Sequence, residues 1–144
     1  MTKTVIVTGA ASGIGLACTK ILLEDGCRIL AFDPNEEKMR AELPSVSEIR
    51  FFCGDVSKSE DCSLAVEKAV TSFGELSDLI HWGAAHSSKR WNELDAVEFN
   101  RIMEINVTGS FLISQAVAGH LIENNGGSIV LTTSTSVLFG VTGG

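Results

Sequence analysis

Short apolar runs alternate along the chain with longer stretches in which apolar residues recur every three to four positions. The runs are "TVIVTG" at 4–9, "CRILAFD" at 27–33, "EIRFFCGDV" at 48–56, "LSDLIHWGAA" at 76–85 and "GSIVLTTS" at 127–134. Runs of this length, rich in β-branched and other apolar residues, predict buried strands. The pattern therefore indicates five strands.

Helical spacing fills the segments between these strands. On the first helix, the apolar residues at this spacing are Ile14, Ala17, Cys18, Ile21 and Leu22. A short charged helix is predicted over 36–43. Ser57 and Glu60 form an S-x-x-E capping box that predicts the start of a third helix. Its apolar face carries Cys62, Val66, Ala69, Val70 and Phe73. A long helical pattern covers 98–123.

Strands that alternate with helices favour βαβ units, with helices on both faces of a parallel sheet. We therefore predict a single α/β domain over residues 1–144, built on a doubly wound parallel sheet. The 44% of hydrophobic residues and 20% of charged residues fit a globular domain.

Charge and composition exclude several classes of function. The net charge of −7 leaves no basic patch for nucleic acid. No run of 18 apolar residues predicts a membrane span, and the first residues lack the layout of a signal peptide, so we expect a cytoplasmic protein. The four cysteines, at 18, 27, 53 and 62, lack CxxC spacing. We interpret them as reduced, mostly core residues, and predict no metal site.

The glycine-rich segment "VTGAASGIG" at 7–15 joins the first strand to the first helix. At this place in an open α/β sheet, Gly9 would let the chain turn and Gly13 would let the backbone approach a pyrophosphate. Gly15 would let the helix pack closely on the strand. Ser12 adds a hydroxyl, and Ile14 lies in the first turn, whose free N–H groups favour phosphate. The alternative is that the glycines merely form a tight turn.

Asp33 ends the second predicted strand, eighteen residues after Gly15. A carboxylate at this position can accept hydrogen bonds from the ribose hydroxyls of an adenosine, and it would repel a 2′-phosphate. The motif therefore favours NAD over NADP. The alternative is a solvated acid at the end of a strand.

The T-G-x-x-x-G-x-G spacing at 8–15 resembles the cofactor loop of the short-chain dehydrogenases/reductases. Three further matches follow in order over the whole chain: "GDV" at 54–56, "NVTG" at 106–109 and "GSIVLTTS" at 127–134. The resemblance implies a Rossmann-type fold whose C-terminal strands are missing from these 144 residues. It also implies hydride transfer between a nicotinamide and a small alcohol or ketone.

The resemblance also implies roles for individual residues. Asp55 and Val56 stand where the family holds the adenine amino group. The segment His81-Trp82-Gly83-Ala84 replaces the family's N-N-A-G, and Gly83 still permits close approach to the cofactor ribose. His81 itself is expected to face a core gap or a sheet edge.

Asn106 lies within an apolar stripe of the long helix, formed by Phe99, Ile102, Met103, Ser110, Ile113, Val117 and Leu121. Its amide must therefore be hydrogen-bonded, to a helix carbonyl or to a neighbouring loop. In the family, the matching Asn bends the helix and holds a water of the proton relay. Ser134 matches the catalytic serine, although Thr133, Thr135 and Ser136 are close enough to shift the register.

The chain contains no tyrosine, and its last lysine is Lys89. The family's Tyr-x-x-x-Lys motif would follow Ser134, so we expect the stretch 132–144 to lead towards it. Two hypotheses result: an NAD-dependent dehydrogenase or reductase whose second part lies elsewhere, or a truncated module that binds dinucleotide without turnover. A third is that another chain supplies the missing half. We expect these residues alone to be inactive.

The fifth strand would then be an exposed edge carrying Ile129, Val130 and Leu131. Exposed apolar edges invite pairing with another chain, so we expect a homo-oligomer.

Overall fold

The protein is a parallel sheet with helices on both faces, and the computed structural model describes residues 2–124 and 126–138. Within these residues the strands are β1 (Thr4–Thr8), β2 (Arg28–Asp33), β3 (Ile49–Cys53), β4 (Asp78–His81) and β5 (Ser128–Leu131). Their order is β3-β2-β1-β4-β5, and every neighbouring pair is parallel. The prediction of a doubly wound, five-stranded parallel sheet is confirmed. The order reverses between β1 and β4, which is where such sheets bind ligands.

The helices follow the predicted order, with adjusted ends. They are α1 (Gly13–Glu24), α2 (Glu36–Glu42), α3 (Ser59–Phe73), α4 (Ala96–Met103) and α5 (Ser110–Glu123). A π-helical turn, Glu104–Gly109, joins α4 to α5 in one continuous helix, and a 3₁₀ turn spans Thr135–Val137.

The central strands β1 and β2 are buried on both faces of the sheet, between which their side chains alternate. Ile6 and Leu79 face α3 and α5, whereas Val5 and Val7 face α1 and α2. This double burial explains why the strands are continuous apolar runs. It also fixes the carboxyl ends of the strands, which carry the candidate site.

The predicted capping box is wrong. Helix α3 begins at Ser59, one residue later than expected, and its N-cap is Lys58 instead of Ser57. The Ser57 hydroxyl instead donates to Asp55 Oδ1 at 2.7 Å, and the Ser57 N–H donates to the same oxygen at 2.9 Å. At an N-cap the serine oxygen would accept from a helix N–H. Here the Ser57 hydroxyl oxygen accepts from Arg101 Nη1 at 3.2 Å instead.

Helix α1 forms as predicted, but three members of its apolar stripe, Ile14, Ala17 and Ile21, are exposed. Ile14 is 63% exposed and Ile21 is 58% exposed, whereas Gly15 and Thr19 are buried. Gly15 packs against the backbone of Gly9, so the side of α1 that carries Gly15 and Thr19 faces the sheet. The Thr19 hydroxyl donates to the Gly15 carbonyl at 2.8 Å.

The long helix spans Ala96–Glu123 and is long and apolar enough, by length and composition alone, to cross a membrane. Its C-terminal half packs on the sheet through Ile113, Val117 and Leu121, as predicted. The predicted stripe fails at its N-terminal half, where Phe99 is 50% exposed. The packing of these three buried residues against the sheet accounts for the apolar composition of the helix.

Strand β5 lies at the outer edge of the described sheet, paired with β4. Ile129, Val130 and Leu131 are between 36% and 49% exposed, so the expected apolar edge is present. Association through this edge remains a prediction.

The four cysteines are free thiols, as expected, but their burial differs. Cys62 is buried, and burial raises the pKa of its thiol to about 11. Cys18 and Cys27 are half-buried and Cys53 is exposed, so the prediction that the cysteines are mostly core residues is right for Cys62 and wrong for Cys53.

Candidate functional site

A cavity of about 490 Å³ opens at the carboxyl ends of the strands, where the strand order reverses. All nine residues predicted to bind the cofactor line it: Gly9, Ser12, Gly13, Ile14, Gly15, Asp33, Asp55, Val56 and Gly83. They come from four separate loops. The sequence motifs therefore converge on a single concave site.

The glycine loop has a geometry that larger residues cannot adopt. Gly9 has a φ of +68°, and a Cβ there would lie 2.9 Å from the Trp82 carbonyl carbon. A Cβ on Gly15 would lie 2.2 Å from the Gly9 carbonyl oxygen. Gly13 has a φ of +52°, and within the described residues no atom lies within 4 Å of its Cβ position. Gly13 therefore borders open space in the cavity.

The start of α1 can accept an anion. Ser12 is extended and makes no side-chain cap to this helix in the described structure. The first N–H groups of α1 thus keep their capacity to donate, and the helix dipole favours negative charge there. An open glycine cradle beside a helix start fits a diphosphate.

Asp33 is buried and held by the backbone. Its Oδ2 accepts from the Ala11 N–H at 3.1 Å, and its Oδ1 accepts from the Asn35 N–H at 2.9 Å. With 8% of its surface exposed, Asp33 is not a solvated acid. A fixed carboxylate at the cavity wall retains lone pairs for hydroxyl donors and excludes anions by charge.

Asp55 is held by two residues at another side of the cavity. Ser57 bonds its Oδ1, and Arg101 Nη2 donates to its Oδ2 at 2.8 Å. Burial by itself would raise the pKa of Asp55, but these hydrogen bonds outweigh it and lower the pKa. Asp55 is therefore ionised at neutral pH.

The Thr8 hydroxyl connects β1 to β4 beneath the cavity. It accepts from the Trp82 N–H at 3.2 Å and from the Gly83 N–H at 3.0 Å. Its own hydrogen is therefore directed to His81 Nδ1, at 2.6 Å. The neutral His81 ring then carries its proton on Nε2, which is buried and finds no partner within residues 2–124 and 126–138. Burial lowers the pKa of His81 to about 4, so it lies in the core as expected.

Asn106 bonds a neighbouring loop, one of the two alternatives considered for its amide. Asn106 Nδ2 donates to the Ala85 carbonyl at 2.8 Å, and Asn106 Oδ1 accepts from the Ala85 N–H at 2.7 Å. The residue lies in the π-helical turn, where its carbonyl accepts from the Ser110 hydroxyl. The amide therefore ties the helix to the loop after β4.

Replacing Asn106 with alanine should lower the free energy of unfolding by about 1–3 kcal/mol, because both polar groups of Ala85 lose their partner. Urea unfolding of the variant would measure this. Asn100→Ala is the matched control, since Asn100 is exposed on the same helix. Equal stability of the two variants would contradict the role assigned to the Ala85 contacts.

Ser134 lies outside the cavity lining in the described residues. It is exposed, and its hydroxyl oxygen accepts from the N–H and from the hydroxyl of Ser136, at 3.2 and 2.8 Å. Thr132 lines the cavity instead, and its hydroxyl donates to the His81 carbonyl at 2.5 Å. The rest of the predicted approach stretch, 139–144, lies outside the described residues. The register of the serine therefore stays a prediction.

Other lining residues were missed by the sequence analysis. Trp82 adjoins Gly83, and its position in the N-N-A-G segment was a usable signal. Arg101 belongs to the polar side of the long helix, where nothing in the pattern distinguishes it from a solvated charge. Its partner Asp55 is 46 positions away.

Residues 3–144 match the family model of the short chain dehydrogenases. The chain belongs to this family. Members of this family bind nicotinamide dinucleotides in Rossmann folds.

Among curated relatives, this chain is 30% identical over 143 residues to 2-(S)-hydroxypropyl-CoM dehydrogenase 3 of Xanthobacter autotrophicus. The match covers 96% of this chain and 56% of the relative. The chain thus spans little more than half the length of that protein.

Two solved structures are similar along nearly the whole chain. ElxO with NADPH bound gives a TM-score of 0.87 at 25% identity, over 98% of this chain and 59% of that one. The 3-ketoacyl-(acyl-carrier-protein) reductase of Brucella melitensis, complexed with NADH, gives 0.83 at 27% identity, over 93% and 57%. Because one holds NADPH and the other NADH, these neighbours do not distinguish the two cofactors.

Proposed function

We propose that this chain is the cofactor-binding part of an NAD-dependent oxidoreductase that interconverts a small alcohol and a ketone. The observation that carries the proposal is the convergence of the glycine loop and the buried Asp33 on one cavity. When bound, the nicotinamide would accept or supply the hydride. The chain's own residues bind and orient: the loop at 9–15 the diphosphate, Asp33 the adenosine ribose, Asp55 and Val56 the adenine.

The preference for NAD rests on the charge of Asp33. Its two backbone hydrogen bonds hold the carboxylate in place, so the side chain cannot swing away from a 2′-phosphate without losing them. A phosphate at the ribose would meet this charge in a partly desolvated wall, where like-charge repulsion is stronger than in water.

Asp33→Asn tests this preference, because it removes the charge and keeps the shape. We expect the original chain to bind NADH about tenfold or more tightly than NADPH, a difference of one to a few kcal/mol, and the variant to narrow that ratio to about threefold. Fluorescence titration of both cofactors measures it. Asp25→Asn is the control, since Asp25 is exposed at the end of α1. An unchanged ratio in Asp33→Asn would overturn the assignment.

A second candidate function is a module that binds dinucleotide without turnover. The nine cofactor-binding residues are all present, whereas the 144 residues include no tyrosine to act as the family's proton donor. We expect this chain to bind NADH and to leave it unoxidised with ketone substrates. Turnover by the purified chain would exclude this second candidate function. It would also indicate that a residue of this chain other than tyrosine donates the proton.

The substrate class is supported by the names of the similar proteins. One names a hydroxypropyl alcohol and another a 3-ketoacyl group. We further propose a cytoplasmic homo-oligomer, on the basis of the free thiols and the apolar edge at β5.

A further inference from the structure

The hydroxyl of Thr8 uses all of its hydrogen-bonding capacity. A hydroxyl has one hydrogen to donate and two lone pairs that accept. The Trp82 N–H and the Gly83 N–H take the lone pairs, at 3.2 and 3.0 Å. The hydrogen is directed to His81 Nδ1 at 2.6 Å, and His81 itself is 2% exposed at the end of β4. The acceptor on His81 therefore decides how the Thr8 hydroxyl is oriented.

The loop after β4 meets the cavity at the same place, since Trp82 and Gly83 both line it. A Cβ on Gly83 would lie 3.2 Å from Thr8 Oγ1 and 3.3 Å from His81 Cε1, so the Gly83 backbone rests directly on this pair of side chains. If the Thr8 hydroxyl turned, the Gly83 N–H would lose its acceptor, and the Trp82 N–H would keep only the Thr8 carbonyl, at 3.3 Å. A lost acceptor in a partly buried site is unfavourable.

We propose that His81 is a positioning residue of the cofactor cavity: by accepting the Thr8 hydrogen, it directs both Thr8 lone pairs to the loop after β4 and so holds Gly83 where a dinucleotide can bind. The inference rests on the proposed binding of that cofactor. Only the neutral ring can act in this way, because a protonated imidazole carries a hydrogen on both nitrogens. The asparagine of the N-N-A-G pattern has an acceptor that does not titrate. The coupling of cofactor binding to a proton is therefore a property of the histidine in this chain.

The charged groups around the ring lie away from it. Strands β1 and β5, which flank β4, carry no titratable side chain along their described lengths. On α5, which packs against β4, the titratable residues are His120 and Glu123, both in the last turn. Glu104 of the π-helical turn and His86 of the loop after β4 are exposed. Burial lowers the pKa of His81 to about 4, so the ring is neutral at pH 7.

A histidine that only filled the core would respond differently to substitution. In that role leucine would be a good replacement, because it is apolar and similar in bulk, whereas asparagine would leave a void. For the positioning role the order is reversed. The Oδ1 of an asparagine lies close to the place of Nδ1 and can accept the Thr8 hydrogen, and leucine offers no acceptor. The order of the two variants in cofactor binding separates the two roles.

The experiment titrates NAD⁺ at pH 7 and follows tryptophan fluorescence, since Trp82 lines the cavity. His81→Asn should bind within about twofold of the original chain, whereas His81→Leu should bind about tenfold more weakly, the effect of one buried hydrogen bond. His86→Leu is the matched control and should bind as the original chain does, since His86 is exposed and lies outside the cavity lining. Thr8→Val removes the hydroxyl, so adding His81→Leu to it should weaken binding no further.

The same titration between pH 7 and pH 4 measures the coupling to a proton. At pH 4 about half of the His81 rings in the free protein are protonated, so the affinity of the original chain should fall about twofold further than that of His81→Asn. Asp33 and Asp55 are present in both proteins, so the difference between the two profiles isolates the ring.

The outcomes separate this inference from the proposed function. If the original chain does not bind NAD⁺ at pH 7, the proposed function fails and the inference fails with it. If the chain binds NAD⁺ but His81→Leu binds as tightly as His81→Asn, the inference alone is overturned. A further tenfold loss on adding His81→Leu to Thr8→Val also overturns it. Should His81→Leu not fold, as judged by urea unfolding, the pH profiles decide: coincident profiles for the original chain and His81→Asn contradict the role.

Discussion

Gly15→Ala is expected to destabilise the protein by about 2–4 kcal/mol, because the new methyl group overpacks a site that has no room for it. The Cβ would lie 2.2 Å from the Gly9 carbonyl oxygen and 2.7 Å from its carbon. Both atoms belong to the backbone of the glycine loop, so relief requires that the loop or the start of α1 moves. Binding of NADH should be lost with it.

Two other glycines provide matched comparisons for this result. Gly119 lies in α5, and no described atom is within 4 Å of its Cβ position, so Gly119→Ala should stabilise the helix by about 0.5–1 kcal/mol. Gly13→Ala should cost about 1 kcal/mol through its positive φ and should still weaken NADH binding. Urea unfolding of the three variants tests the set. A Gly15→Ala protein as stable as Gly119→Ala would contradict the packing described here.

Acid is expected to destabilise the fold through His81 by about 3 kcal/mol in all, the equivalent of the shift of its pKa from 6.5 to about 4. The unfolded chain takes up a proton on this ring near pH 6.5, whereas the folded chain does so only near pH 4. Between these values the unfolded state binds more protons. The free energy of unfolding therefore falls as the pH is lowered through this window, and the full contribution is present above pH 6.5.

The measurement is urea unfolding at several pH values between 7 and 4, for the original chain and for His81→Gln. The variant cannot titrate at this position, so its free energy of unfolding should depend less steeply on pH. His86→Gln is the control, because His86 is exposed. Parallel pH profiles for the original chain and His81→Gln would show that His81 is not buried in the neutral form.

The fold could be predicted from the sequence because its central strands are buried on both faces. Val5, Ile6 and Val7 all face a core, so each appears in the sequence as part of an uninterrupted apolar run. The glycine loop could be predicted for a related reason: φ values of +68° and +52° at Gly9 and Gly13 suit few other residues. Where burial or backbone conformation restricts a position to a few residue types, the sequence pattern is sufficient to predict the local structure.

Errors arose where one sequence pattern is compatible with more than one arrangement of its side chains. Ser57 was predicted to cap α3, but Asp55 takes both its N–H and its hydroxyl. Phe99 was predicted to share one buried stripe with Ile113, but only the second half of the long helix lies on the sheet. Helical spacing describes which side chains share a face, and it does not say where along the helix that face is covered.

The finer features of the candidate site depend on contacts between distant positions. Arg101 and Asp55 are 46 residues apart, and Asn106 and Ala85 are 21 apart. No spacing rule connects such pairs, because their proximity results from the completed sheet and the helices packed on it. The nine residues predicted to bind a cofactor could be selected from the sequence because they lie in four short segments, each of which has a recognisable pattern of its own.

The central position of β1 has a consequence for synthesis on the ribosome. Of the five described strands, β1 is synthesised before the others, and its neighbours are β2 and β4, the latter beginning 70 residues after Thr8. At the usual rate of chain elongation on the ribosome, the edge of β1 that pairs with β4 stays unpaired for roughly 4–14 s. During this interval the open edge of a nascent parallel sheet is exposed to other chains. The order of the strands thus sets the period during which a chaperone would have to shield the open edge of the newly synthesised sheet.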